Sequence, residues 1–407
     1  MNVRSRMGHR RRLAPVLSIV AAVSLMASGC ASSDDDGGSA SEGTTTDEPL
    51  AFYASLGLSG TSATFATALE AGIDAAVSTI NDQGGVLGRE VELEVENNES
   101  DPTKGVSLLQ DRMSSDAPDV VWAGSTSSET LAMLGVTTRE KVIALNNGSA
   151  PEVGDATKFP YSFSAGVATT AIADYLAAYL ADQGYQTVGL LTGSDAFGQG
   201  AATVYTAAFD EAGVSVVPET YDPAAVEMDG PLARLGEADL DAVVFSDFRH
   251  PAYVLKSRVK VGMQDLPFVG DLGASGSDLS SAVTAEEAQG VTIATYLANT
   301  AEADRAGIDN LLAELDSAGV DITSPLYLYA LGYDTVLAYA NAVEEAGSTD
   351  PDEVRAAMEA GKGDTYPLAL TDDIGWTETV HLGAGEGLFA MIPVTPLVDG
   401  QFQTGEG

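Results

Sequence analysis

From Leu50 onward the chain alternates short apolar runs with longer segments of helical spacing, and this alternation constrains the fold more than any other feature. "LAFYASLGLSG" reads as a buried strand ending in glycine. The next segment, "ATFATALEAGIDAAVSTIND", places Leu69, Ile73, Ala76, Val77 and Ile80 on one helical stripe. The strand-like "REVELEVEN", "PDVVWAG" and "VIALNNG" are then separated by the helix-like "DPTKGVSLLQDRMSS" and "SSETLAMLGVTTRE". A second set repeats the grammar from "TTAIADYLAAYLADQG" through "TVGLLTGSD", "VSVVPETYD", "LDAVVFSDF" and "LPFVGDLG". Apolar strands separated by helices imply parallel sheets covered on both faces, and two such sets imply two doubly wound α/β lobes.

In that architecture a ligand binds outside the carboxyl ends of the strands, so the residues just after each strand matter most. Those positions hold "STSSET", "SAP", "SDAFG", "DFRHP" and "DLGASGSD". Hydroxyls, aromatic rings and carboxylates recur there, whereas His and Cys clusters do not, so no metal and no cofactor is expected. The glycine-dense "NDQGGVLGRE" raises the question of a phosphate loop. Gly84, Gly85 and Gly88, however, come after a helix and before a strand, the reverse of the phosphate-binding order. They read as a left-handed helix cap and a tight turn.

The first residues differ in kind. "MNVRSRMGHRRR" carries five arginines and no acid, "LAPVLSIVAAVSL" is an apolar run short for a membrane span, and "ASGC" comes next. Residues 1–29 read as a secretory signal peptide cut before Cys30, the only cysteine. That junction resembles a bacterial lipobox, which implies lipidation of Cys30 and an extracytoplasmic protein anchored to the outer face of the cell membrane. Residues 30–49 have nothing to bury and read as a disordered tether. As a random coil, its roughly 19 residues would reach about 25 Å.

Charge excludes further classes. The whole chain has 19 basic and 60 acidic residues and a net charge of −41. Five of those basic residues precede Cys30, so the remainder carries about −46. The acids are scattered rather than blocked, which suggests a solvated acidic surface of halophilic type and argues against nucleic acid as a partner.

The segments "LGLSG", "AGIDAAVSTINDQGGVLGREVELEVENNESDP", "VVWAGSTSSET", "SDAFGQG" and "LGYDTVLAYANAVEEAG" resemble, in order, the solute-binding proteins of ABC importers in the branched-chain amino-acid-binding group. These proteins have the type I periplasmic-binding fold, and the resemblance spans Ala51 to Phe402. It implies two lobes joined by three crossovers with a ligand cleft between them. The first lobe would comprise residues 50–165 and 294–375, the second 166–293 and 376–407.

By the same resemblance, Ser128 would meet a ligand carboxylate at a helix N-terminus, with Gly148 and Ser149 adding an acceptor and a hydroxyl. Phe65, Phe197 and Phe248 would form aromatic walls. The acid that meets the ligand's ammonium in amino-acid binders aligns with Leu272, leaving Asp271 or Asp247 as candidates. Arg249 offers a bidentate contact to an acid ligand.

The implied function is capture of a small ligand, a branched-chain or other hydrophobic amino acid, and delivery to an ABC permease with its ATPase. Binding of an amide, urea or organic acid, or a sensory role, fits the same features. An exported enzyme does not: no Gly-x-Ser-x-Gly elbow, zinc-ligand spacing or phosphate loop occurs. "GASGS" at 273–277 lacks the elbow's surroundings, and beyond His9 only His250 and His381 could act as a base.

Both the anchor and the charge can be tested directly. Cys30→Ser is expected to release the protein from membranes without changing ligand affinity; unchanged membrane partitioning would refute the anchor. The melting temperature is expected to rise as salt increases toward about 1 M, where the screening length falls to about 3 Å. A flat or falling curve would refute the salt adaptation.

Overall fold

The computed structural model describes residues 48–247, 250–300, 306–361, 363–383 and 388–404. The signal segment, Cys30, most of the tether, Phe248 and Arg249 lie outside the described residues. The first lobe is built from β1 (Leu50–Leu56), α1 (Ala63–Asp82), β2 (Val91–Asn97), α2 (Pro102–Ser115), β3 (Val120–Ala123), α3 (Ser127–Glu140), β4 (Ile143–Asn146) and β5 (Ser162–Val167). The second begins with α4 (Thr169–Asp182), β6 (Thr187–Gly193), α5 (Ala196–Glu211), β7 (Ser215–Tyr221), α6 (Asp229–Leu235), β8 (Ala242–Ser246), α7 (Pro251–Lys260) and β9 (Phe268–Gly270). It continues through α8 (Leu279–Ala282), α9 (Ala285–Ala288) and β10 (Val291–Tyr296). The chain then returns to the first lobe with α10 (Ala306–Ser317), α11 (Leu326–Ala346), α12 (Pro351–Glu359) and β11 (Leu382–Gly383), before β12 (Phe389–Pro393), β13 (Leu397–Val398) and β14 (Gln401–Phe402).

The strands form two six-stranded sheets, ordered β11-β5-β4-β3-β1-β2 and β12-β10-β9-β8-β6-β7, and a small β13-β14 ribbon. All ladders in the first sheet are parallel, while β12 joins β10 antiparallel at the edge of the second. Central strands are buried on both faces because they carry apolar side chains on both: β3 and β4 are buried at every position. The edge strand β2 instead alternates, "VELEVEN", with glutamates on its outward face. The glycine turn after α1 is a cap and a turn, with φ of 102°, 81° and 75° at Gly84, Gly85 and Gly88. No helix among the described residues is long and apolar enough to cross a membrane.

Helix α11 is buried almost all round, as its unbroken "LYLYALGYDTVLAYANAV" requires. It packs on α1 through two glycines. A Cβ on Gly72 would stand 1.8 Å from the Tyr329 carbonyl oxygen, and one on Gly332 would stand 2.5 Å from that of Leu69. The two backbones therefore meet with no room for a methyl group.

The chain passes between sheets three times: after β5, after β10 and between Gly383 and Phe389. The lobe limits differ from those the sequence suggested. β5 runs to Val167 and β10 to Tyr296, and the last passage comes later than 375, because Leu382 pairs with Ser164 of β5. The Trp376 indole also donates to the Ser164 carbonyl at 2.8 Å, holding that stretch to the first sheet. At the second passage Asn299 is fully buried and uses both ends of its amide. Its Nδ2 donates to Thr295 Oγ1 of β10 at 3.0 Å, and its Oδ1 accepts from the Tyr327 amide of α11 at 2.8 Å. One side chain thus pins a strand of one lobe to a helix of the other.

Candidate functional site

At the carboxyl ends of the first sheet, several loops converge on Glu129 in the first turn of α3. The side chain is 1% exposed. Its Oε2 accepts from the Ser125 amide and from Asn98 Nδ2, both at 3.0 Å. Its Oε1 accepts from Thr126 Oγ1 at 3.0 Å and Ser62 Oγ at 3.5 Å. Ser62 precedes α1, Asn98 comes after β2, and Ser125 and Thr126 come after β3, so one carboxylate ties together the loops after three neighbouring strands. Ser125 adds a further tie, its Oγ accepting from the Gly57 amide at 2.9 Å.

This knot shapes one wall of a cavity of about 80 Å³ between the lobes. The first lobe contributes Phe65, Ser125 to Ser128, Asn147, Ser149, Gly166 and Val167; the second contributes Ile172, Asp195, Phe197, Leu272, Gly273 and Tyr296. Tyr327 and Leu331 of α11 close the back. The space amounts to a handful of water volumes, the scale of a small ligand.

The polar groups facing this space fall into three sets. The amides of Ser127 and Ser128 open α3 and have no acceptor among the described residues, as expected at a helix start. The hydroxyls of Ser128 and Ser149 likewise have no hydrogen-bond partner there. Asn147 is 8% exposed, and its Nδ2 donates to the Ser125 carbonyl at 3.1 Å, which fixes the amide's orientation. Its Oδ1 is buried without a partner among the described residues, an acceptor that a ligand N–H would satisfy.

The aromatic pair Tyr296 and Tyr327, with ring centroids 5.1 Å apart, spans the two lobes at the cavity's back. Burial pushes both phenols well above their ordinary pKa, so they remain neutral donors at physiological pH. No group of three or more His, Cys, Asp or Glu among the described residues is placed to hold a metal.

Phe65, Ser128, Ser149 and Phe197 line this cavity. Gly148 sits between two lining residues but does not line it: its amide donates to Asn146 Oδ1 at 3.0 Å, and its carbonyl accepts from Ser164 Oγ at 2.9 Å. Phe248 lies outside the described residues. Neither candidate acid lines the cavity. Asp271 is fully buried behind it, accepting from Tyr205 Oη at 2.8 Å and from the Gly273 amide at 3.0 Å, while Leu272 presents its side chain to the space instead. Asp247 is 2% exposed and accepts from the His250 amide at 2.9 Å. The carboxylate that does line the cavity is Asp195, which also caps α5 by accepting from the Gly198 amide at 3.0 Å.

Residues 54–391 match the family described as periplasmic binding protein. The chain belongs to that family. This periplasmic binding protein is 24% identical over 317 residues to the leucine-, isoleucine-, valine-, threonine-, and alanine-binding protein of Pseudomonas aeruginosa, covering 76% of this chain and 80% of that one. Its fold resembles a type 1 periplasmic binding protein from Bordetella pertussis (TM-score 0.76, 19% identity, 85% of this chain and 96% of that chain). It also resembles the branched-chain amino acid transporter substrate-binding protein LivJ of Streptococcus pneumoniae in complex with isoleucine (TM-score 0.69, 20% identity, 87% and 98%).

In this binding protein Asp271 has a measurable signature. Burial raises its carboxyl to about 6, partly offset by the hydrogen bonds it accepts. A carboxyl raised in the folded state contributes stability that is full below its unfolded pKa and lost as pH rises through about 6, up to about 3 kcal/mol. Asp271→Asn is therefore expected to melt progressively higher than wild type as pH rises from 4 to 7, with ligand affinity unchanged. A constant difference across that range, or a large loss of affinity, would refute the structural role.

Proposed function

We propose that this periplasmic binding protein captures a small hydrophobic amino acid of the branched-chain kind between its lobes and delivers it to an ABC permease with its ATPase. Cys30 would anchor it by lipid outside the cell membrane. The observation that carries the reading is the cavity's composition. Donors at the start of α3, hydroxyls at Ser128 and Ser149, and an unmet acceptor on Asn147 share one space with Phe65, Phe197, Ile172 and Leu331.

A ligand carboxylate on the α3 amides and the two hydroxyls would use the helix's positive end. An ammonium would satisfy Asn147 Oδ1 and approach Asp195, taking the acid role that Asp271 and Asp247 do not fill. The aliphatic side chain would rest on the aromatic and aliphatic walls. Contacts from both lobes stabilise the closed arrangement over the open one, and no covalent chemistry is required. The Pseudomonas aeruginosa and Streptococcus pneumoniae relatives lend the branched-chain assignment its direction.

Titration calorimetry with leucine, isoleucine and valine tests the reading. Binding of at least one is expected, weakened about tenfold by Ser128→Ala, the loss of roughly one hydrogen bond to a charged group. Asp195→Asn is expected to weaken leucine more than the corresponding neutral amide. Binding of the amide alone, indifferent to Ser128 and Asp195, would instead establish an amide-binding protein.

A further inference from the structure

We infer that Asn147 is a specificity-determining residue: its locked carboxamide makes the cleft read a hydrogen-bond donor beside the ligand's carboxylate, so that the site takes 2-hydroxy acids as well as 2-amino acids and rejects 2-keto acids. The inference rests on the proposed ligand site and adds to it the rule by which that site selects.

Three observations converge. First, Asn147 is 8% exposed, lines the cavity and carries an acceptor, Oδ1, that is buried without a partner among the described residues. A buried acceptor left unmet is costly, and only a donor relieves it.

Second, the carboxamide cannot turn over to suit a ligand that brings an acceptor instead. Its Nδ2 donates to the Ser125 carbonyl at 3.1 Å, and exchanging the two ends would set Oδ1 against that carbonyl, acceptor against acceptor. Neither side of that bond is free to give way. Ser125 is held through its amide by Glu129 and through its hydroxyl by the Gly57 amide. The loop that carries Asn147 is held at Gly148, whose amide donates to Asn146 Oδ1 and whose carbonyl accepts from Ser164 Oγ. It also packs hard on β5, where a Cβ on Gly166 would stand 2.5 Å from the Asn147 carbonyl oxygen.

Third, the same loop is tied to the start of α3, where a ligand carboxylate would sit. The Ala150 amide donates to Ser127 Oγ at 3.2 Å, and the bond from Asn147 to Ser125 joins the two segments a second time. Oδ1 therefore stands on the α3 side of the cavity, and the group next to the carboxylate is the one that meets it. A carboxamide is uncharged, so an O–H serves its oxygen as an N–H does.

Calorimetry would measure leucine, its 2-hydroxy analogue and its 2-keto analogue against wild type, Asn147→Ala and Ser128→Ala. Wild type is expected to bind leucine and the hydroxy acid about tenfold or more tighter than the keto acid, since a site built around a donor rejects the analogue that lacks it. Asn147→Ala is expected to bring the hydroxy-acid and keto-acid affinities to within about threefold of each other by removing the unmet acceptor. Ser128→Ala, which removes a carboxylate contact, is expected to weaken all three with their ratios unchanged.

Equal binding of hydroxy and keto acids by wild type would overturn the inference. So would a ratio that survives Asn147→Ala, because another group would then be reading the donor, or one that Ser128→Ala moves as far. Hydroxy-acid binding without leucine binding would bring down the amino-acid reading and leave the inference standing. Leucine bound by a protein that holds the hydroxy acid no better than the keto acid would bring down the inference alone, and both fall if wild type binds none of the three. Should Asn147→Ala not fold, the wild-type ratio of hydroxy to keto acid decides, and a ratio near unity sinks the idea.

Discussion

The first lobe's half of the cleft depends on one buried carboxylate. Loops after β1, β2 and β3 each leave the sheet with short polar side chains, and Glu129 collects donors from all three. Burying a carboxylate is costly unless several hydrogen bonds compensate it, and here four do. The consequence is rigidity where the site needs it. Ser125 is held by its amide, hydroxyl and carbonyl, and the last of these bonds fixes Asn147 on the same frame.

The second passage ties the two lobes together. Asn299 joins Thr295 of one lobe to the Tyr327 amide of the other, and the neighbouring Tyr296 and Tyr327 rings touch each other and line the cavity. Tyr296 also packs on Phe389 at 5.7 Å, which meets Tyr175 at 5.5 Å, so the aromatic contacts continue across the third passage. A ligand held as proposed would rest on those tyrosines and so touch the passage as well as the walls. Contacts that differ between open and closed lobes are how binding would shift the balance between them.

The two-lobe architecture was legible because strand and helix periods are local properties: "VVWA" and "IALN" are buried on both faces, and the stripe of α1 points where its spacing says. The lobe limits were less so. A two-residue strand such as Leu382–Gly383 carries no periodicity, and only its pairing with β5 reveals its lobe. The site was half legible for a related reason. Position after a strand identifies which residues are near the cleft, not which way they turn. Asp271 turns inward to close a 3-10 turn and meet Tyr205, and its neighbour Leu272 faces the space. Asn147 belongs to the strand-end segment "VIALNNG", yet its importance lies in an unmet acceptor that only packing shows. Tyr327 comes from a helix far along the chain, and no local signal connects it to β4.

The distribution of positive charge gives these details a common cause. With 19 basic residues against 60 acidic ones, cations are scarce, and the structure commits those it describes elsewhere. Arg258 is fully buried beneath α7, its guanidinium spent on the carbonyls of Met263, Gln264, Glu287 and Gln289 and stacked on Phe268. Arg234 pairs with Glu219 and Lys260 with Glu227 at the surface. Among the described residues, the polar groups that line the cleft are amides, hydroxyls, one carboxamide and the Asp195 carboxylate. Such groups act at hydrogen-bond range inside a closed space, whereas exposed ion pairs weaken as salt rises.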